Sequence, residues 1–160
     1  MGFETQAVRG VSAHFGPRRT DGKYGGQVVT AGNIVEEVVR IRYNDLPASN
    51  SPKAAVIPAN ATIVSSTINV ITAFAGGTSL AVGTYKKSDG TALDADGFHT
   101  AASLITANLG AGKSLAGTGA DIGIAITEAA TVGVVAVGSF TSGYAEIIVR
   151  YIKQAPAPKA

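Results

Sequence analysis

Residues 63–85 read IVSSTINVITAFAGGTSLAVGTY, and this stretch decides the predicted fold. Apolar and polar side chains alternate over Ile63–Phe74, which is typical of a half-buried β-strand. The Gly76-Gly77 pair then predicts a hairpin turn into a second strand, because glycine tolerates positive φ angles. One face of the first strand carries Val64, Ile68, Val70 and Phe74, and the other carries Ser65, Thr67 and Asn69.

The partner strand is predicted over Ser79–Tyr85, with Leu80 and Val82 facing inward. Its outward side chains, Ala81 and Gly83, are small, so we expect another chain segment or another subunit to approach closely there.

Working outward, further strands are predicted on both sides. They are Ile34–Tyr43, Ala55–Pro58, Asp121–Ile126, Thr131–Val137 and Tyr144–Ile152, with a hairpin loop at Gly138–Gly143. Residues 86–97 and 110–120 are predicted loops, and Phe98–Leu109 is the one predicted helix, because Ala101, Leu104 and Ile105 match helical spacing. Six or seven short strands without β-α-β alternation predict an all-β sandwich or barrel.

Three regions follow from this pattern. Residues 1–33 are polar, glycine-rich and without periodicity, and we interpret them as an extended N-terminal arm. Residues 34–152 form the β-sandwich domain, and residues 153–160, KQAPAPKA, form a proline-rich exposed tail.

Composition limits the class of protein. Glycine and alanine make up nearly a third of the chain, charged residues are 15%, and the net charge is only +2. Neither disorder nor a coiled coil fits, and a nucleic-acid or membrane partner is not expected. There is no cysteine, which excludes disulfides and zinc thiolates. Residues 1–20 lack the apolar core of a signal peptide, so we expect synthesis in a cytoplasm.

Several motifs suggest chemistry but are weak. Gly110–Ser114 reads GAGKS, yet a phosphate-binding loop also needs a preceding strand and a following helix. Asp89, Asp94 and Asp96 leave an irregular calcium site open, although Asp-Gly turns explain them equally well. No cofactor is expected.

Two histidines, His14 and His99, are the only imidazoles in the chain. A Ser-His-Asp triad assembled in space stays open at this point, but no Gly-x-Ser-x-Gly elbow occurs. We therefore expect no enzyme activity. The stronger signal is the positive charge of the arm, which we interpret as the part that binds a partner surface. It comprises Arg9, Arg18, Arg19 and Lys23.

Several segments together resemble structural head proteins of tailed phages. They are Ile57–Ala61, the turn Phe74–Ser79, the strand end Val82–Thr84, Ile124–Val132 and the final Val149–Tyr151. The resemblance covers about residues 55–152, and the N-terminal third shows no fixed motif of this kind.

The resemblance implies a jelly-roll-like antiparallel β-sandwich without catalysis. Proteins of this family decorate or cement the outer surface of the capsid, commonly as trimers bound to the major capsid protein between capsomers. We accordingly predict a virion component that forms a homotrimer, with Ala81, Gly83, Val135 and Val137 in the trimer interface. The alternative is a tail, fibre-base or receptor-binding module of the virion.

Overall fold

The computed structural model describes residues 34–46 and 51–153, with the backbone alone for 51–54. Eight strands are present in these ranges. They are β1 (Ile34–Arg42), β2 (Ser51–Ile57), β3 (Thr62–Ala75), β4 (Ser79–Lys86), β5 (Ala92–His99), β6 (Ser114–Ala116), β7 (Ala130–Val137) and β8 (Ser142–Ile152). The predicted arm and all of the predicted tail except Lys153 lie outside the described residues.

The strands form two antiparallel four-stranded sheets that pack as a sandwich. The first sheet has the order β1-β8-β3-β6 and the second has β2-β7-β4-β5. Every connection except β4–β5 passes from one sheet to the other, which gives the strand order of a jelly roll. The predicted all-β sandwich is confirmed.

The core lies between the inward faces of the two sheets. Alternation along each strand supplies its side chains, as the period of two requires. The first sheet contributes Val39, Ile41, Ile63, Ile68, Val70, Phe74, Ala145, Ile147, Val149 and Tyr151. The second sheet contributes Ala55, Ile57, Leu80, Val82, Phe98, Ala130, Val132, Val134 and Ala136.

One predicted core residue, Val64, is instead 43% exposed. The pairing of β3 with β8 shifts between Ile63 and Ser65, so Ile63 points inward and Val64 points outward. A bulge of this kind changes the face of the residues on either side of it.

Both predicted hairpins are wrong, because the two turns join different sheets. After Ala75 the chain leaves β3 in the first sheet and enters β4 in the second, and Gly138–Gly143 joins β7 to β8 in the same way. The two turns contact each other instead: the Thr78 amide donates to Val137 O at 2.7 Å, and the Thr141 amide donates to Ala75 O at 2.8 Å. A Gly-Gly turn allows a hairpin, but β3 and β4 do not pair with each other. β3 pairs with β8 and β4 pairs with β7.

The predicted helix Phe98–Leu109 is also wrong. Phe98 and His99 end β5, and only Thr106–Asn108 forms a short 3-10 helix. The Leu104 carbonyl accepts the amide of Leu80 at 3.0 Å, so this backbone group bonds to the second sheet rather than within a helix. The second half of the predicted loop 86–97 is accordingly strand β5.

The predicted strand Asp121–Ile126 is a series of turns that makes one isolated bridge, between Ala125 and Thr62. Gly123 has a φ of 87°, a left-handed conformation that interrupts an extended strand. The three isoleucines therefore do not share a face: Ile126 is buried whereas Ile124 is 54% exposed.

Candidate functional site

The positively charged residues predicted to bind a partner lie outside the described residues. This applies to Arg9, Arg18, Arg19 and Lys23, and also to His14. Their role stays a prediction.

The predicted trimer-interface residues are brought together on the outward face of the second sheet. Ala81 lies opposite Val135, Gly83 lies opposite Gly133, and Val137 lies opposite Ser79. Ala81 and Gly83 are buried, Val135 is half-buried, and Val137 is 49% exposed. The accessible part of this row is therefore its Val135–Val137 end.

The close approach that Gly83 allows is made within the chain itself. A Cβ at Gly83 would overlap the Asp94 carbonyl oxygen and the backbone of Ala95, because β5 bulges over the face of β4 at this point. A Cβ at Gly133 would overlap the ring of Tyr85, which lies flat on the outward face and is fully buried. Burial raises the pKa of the Tyr85 hydroxyl, and the nearby Asp94 and Asp96 raise it further.

The aspartates considered as calcium ligands occupy two separate places. Asp89 closes its own turn by accepting the amide and hydroxyl of Thr91 at 2.9 and 2.7 Å, and these bonds lower its pKa. A hydrogen bond with Asp94 raises the pKa of Asp96. Among residues 34–46 and 51–153, no three His, Cys, Asp or Glu side chains are placed to hold a metal ion.

A further carboxylate, Asp121, lies beside this pair and accepts the Thr84 hydroxyl at 2.7 Å. Burial raises its pKa, and Asp94 adds to the effect. Asp121 thereby joins the loop before β7 to the inward-facing Thr84 of β4.

The GAGKS segment is a tight turn at the edge of the first sheet. The Gly112 amide donates to Val70 O and the Val70 amide donates to Lys113 O, both at 2.8 Å. Ser114 begins β6 and donates its hydroxyl to Asn69 Oδ1 at 2.7 Å. These amides are already bonded within the chain and a strand follows, so the geometry is not that of a phosphate-binding loop.

His99 has a serine partner that the sequence reasoning missed. Ser66 Oγ lies 3.1 Å from His99 Nε2, and both residues are buried. His99 Nδ1 has no hydrogen-bond partner, and burial lowers the pKa of His99 to about 4. Among the residues that the structure describes, no carboxylate orients the ring, so the pair lacks the third member of a triad there. The contact joins β5 of one sheet to β3 of the other. Alternation in β3 already places Ser66 on the inward face with Ile68 and Val70, but nothing in the sequence indicates that His99 lies opposite it.

The outward face of the first sheet carries cross-strand charge pairs. Glu36 accepts from Arg150 at 2.6 Å, and Glu146 accepts from Arg40 at 3.0 Å. The Arg42 guanidinium lies 5.5 Å from the centre of the Tyr144 ring. The charged residues follow from the predicted alternation in β1 and β8, although nothing in that pattern marks them as a site.

The described part of the chain contains no helix that is long and apolar enough to cross a bilayer. No protein-family model matches the sequence, and no curated protein sequence matches it either.

Solved structures do share the fold. A chain in the capsid of Ralstonia phage GP4 superposes with a TM-score of 0.55 at 18% identity, over 77% of this chain and 86% of that one. A chain in the acid-stable capsid of Helicobacter pylori bacteriophage KHP30 gives 0.53 at 12% identity, over 76% and 89%. A chain in the capsid asymmetric unit of cyanophage Pam1 gives 0.53 at 16% identity, over 93% and 99%.

Proposed function

We propose that this chain is a structural protein of a tailed-phage virion, which binds the outer surface of the capsid shell between capsomers and cements the major capsid protein without catalysis. The observation that supports it best is the jelly roll shared with chains of three phage capsids over most of both chains. The resemblance of residues 55–152 to phage head proteins supports it separately, because it rests on sequence motifs.

Attachment in this proposal is made by the arm. Its four cations, Arg9, Arg18, Arg19 and Lys23, would bind acidic side chains of the capsid protein. Single surface ion pairs contribute only about 0–1 kcal/mol, but many identical copies on one shell make weak contacts sufficient.

The trimer belongs to the same proposal. The outward row of small and β-branched residues ends in the accessible Val135 and Val137, which offer an uncharged surface to a neighbouring copy. Ala81 lies opposite Val135 on the same face and is part of the proposed interface, whereas Gly83 is covered by β5.

The decisive experiment incubates the purified protein with isolated expanded capsids and maps the bound copies by cryo-electron microscopy. We expect saturation at a copy number set by the symmetry of the shell, with density on the outer surface between capsomers. Density confined to the tail vertex would contradict the proposal and would favour the tail, fibre-base or receptor-binding role.

The arm is tested with a variant in which Arg9, Arg18, Arg19 and Lys23 are changed to serine. A matched control changes four exposed cations of the described residues, Arg42, Lys87, Lys113 and Lys153, to serine. We expect the arm variant to bind capsids at least about tenfold more weakly, since four contacts of a few tenths of a kcal/mol are lost. Equal binding by both variants would refute the role of the arm.

A further inference from the structure

The first sheet ends in a long strand with one free edge. All nine residues of β1 pair with β8 on one side, from Ile34 with Ile152 to Arg42 with Tyr144. Among the described residues, no strand pairs with the other side of β1. An edge of this length presents a row of backbone donors and acceptors to which another strand can add.

The side chains of β1 make this edge self-complementary. On its outward face Glu36 precedes Val38 by two residues, and Arg40 follows Val38 by two. We propose that β1 is a contact for a second copy of this chain, with the two β1 strands antiparallel about a two-fold axis at Val38. This inference does not rest on the proposed function.

The register follows from the length and the charges of β1. With the axis at Val38, all nine residues of β1 are paired, and Glu36 of each copy faces Arg40 of the other. Glu36 already contacts Arg150, and Arg40 already contacts Glu146, in their own chain. Each row across the contact therefore alternates in sign: Arg150 and Glu36 of one copy, then Arg40 and Glu146 of the other. Opposite charges directly across a strand pair stabilise it.

The row at the axis is apolar. Val38 is 47% exposed and lies beside the half-buried Ile148 of β8. Pairing would place Val38 against Val38 of the second copy, with Ile148 on each side, so that this exposed apolar surface is covered.

Neighbouring registers are worse. A shift of one residue sets the outward face of one strand against the inward face of the other, which a continuous sheet forbids. A shift of two residues towards the N-terminus places Glu37 opposite Glu37. A shift of two towards the C-terminus pairs only residues 36–42 and sets Glu36 opposite Arg42, but it leaves Arg40 opposite Val38. The register centred on Val38 pairs all nine residues, matches Glu36 with Arg40 and places the exposed Val38 side chains together. These three features favour it over its neighbours, even though each exposed ion pair adds little affinity.

The result is one continuous eight-stranded sheet made of two first sheets, which is within the ordinary size of open sheets. It uses a different side of the sandwich from the Val135–Val137 row, so both contacts can exist in one assembly.

The test uses the full chain and two charge reversals, Glu36→Arg and Arg40→Glu, with masses measured by analytical ultracentrifugation across a concentration series. Each variant alone places like charges opposite each other twice. We expect its mass to be half that of the wild type and its dissociation constant to rise at least about tenfold. A one-to-one mixture of the two variants should recover the wild-type mass, because every introduced charge then faces its opposite.

The unmixed variants are the control for the mixture, because each variant chain has the same substitution and the same altered contacts within the chain in both cases. Circular dichroism confirms that both are folded. Three results would each overturn the inference. They are a wild type whose mass is never twice that of the variants, variants with the wild-type mass, and a mixture whose mass stays at that of the variants. So would variants that keep their mass but lose capsid binding, because the occupant of the edge would then be a capsid protein.

Discussion

At the scale of single residues, the least expected feature is a histidine enclosed in the side of a β-sandwich. His99 is fully buried, and among the described residues its ring bonds to Ser66 through Nε2 while Nδ1 has no partner. An imidazole in such a place is stable only while it is neutral, because burial disfavours the charged form. His99 therefore makes the stability of the fold depend on pH.

We expect acid to destabilise the wild type more than the variant His99→Gln, whose amide can still bond to Ser66. The pKa of His99 is about 4 in the folded protein, below its ordinary 6.5. Between these values the unfolded chain binds the extra proton, so stability falls as pH falls through this range. Above pH 6.5 and below about pH 4, His99 does not change the free energy of unfolding with pH any further. Across the range between them, protonation of His99 in the unfolded chain lowers the free energy of unfolding by about 3 kcal/mol.

Urea unfolding of both proteins, from about pH 7 to about pH 4, measures this difference. Acidic groups such as Asp121 are present in both proteins and cancel in the comparison. Parallel curves for wild type and variant would show that His99 is not the source of the pH dependence.

At the scale of elements, the packing of β5 against β4 depends on a glycine in β4. β5 departs from regular pairing between its partners at Val82 and Thr84, and its backbone then lies directly over Gly83. The neighbour is a backbone carbonyl rather than a flexible side chain, so it cannot turn away to accept a methyl group. Gly83 is thus required by packing and not by a special φ angle.

The substitution Gly83→Ala should destabilise the fold by about 1–3 kcal/mol, the usual cost of overpacking. Gly110→Ala is the matched control, because a Cβ there would lie 3.6 Å from Lys113 Cε, an ordinary contact. The control should stay within about 0.5 kcal/mol of the wild type. Chemical denaturation measures both, and equal stability of the two variants would mean that β5 does not lie against Gly83 in solution.

The elements also show where sequence reasoning succeeds. Alternation placed β1, β3, β4, β7 and β8, because each has one face in the core. It failed where a local signal competed with long-range pairing, as at Gly76-Gly77. The helix predicted over residues 98–109 was wrong for the same reason, since the Leu104 carbonyl accepts the amide of Leu80 in β4. No single-strand pattern reveals which of two distant strands is the partner.

At the scale of the whole molecule, the two sheets present different surfaces. The outward face of the first sheet is crossed by ion pairs such as Arg40–Glu146. The outward face of the second sheet is covered in part by its own β5 and by the Tyr85 ring, and its small and β-branched side chains end at Val137. The low charge and high alanine and glycine content of the sequence therefore suit two kinds of contact, one with matched charges and one without charge.

This difference gives a test of the proposed trimer. Val137→Glu adds a charge to the uncharged row, and a three-fold contact would bring three such carboxylates together, so we expect the trimer to dissociate. Ile71→Glu is the matched control, since Ile71 is equally exposed, at 50% against 49%, but belongs to β3 of the first sheet.

Neither change removes a buried side chain, so both proteins should fold with nearly wild-type stability. Sedimentation should show a loss of mass for Val137→Glu alone, threefold where the wild type sediments as a trimer. An unchanged mass, or the same loss in both variants, would rule out the Val135–Val137 row as the trimer interface. Because the arm is intact in both proteins, capsid binding measured in parallel separates a failure to form trimers from a failure to attach.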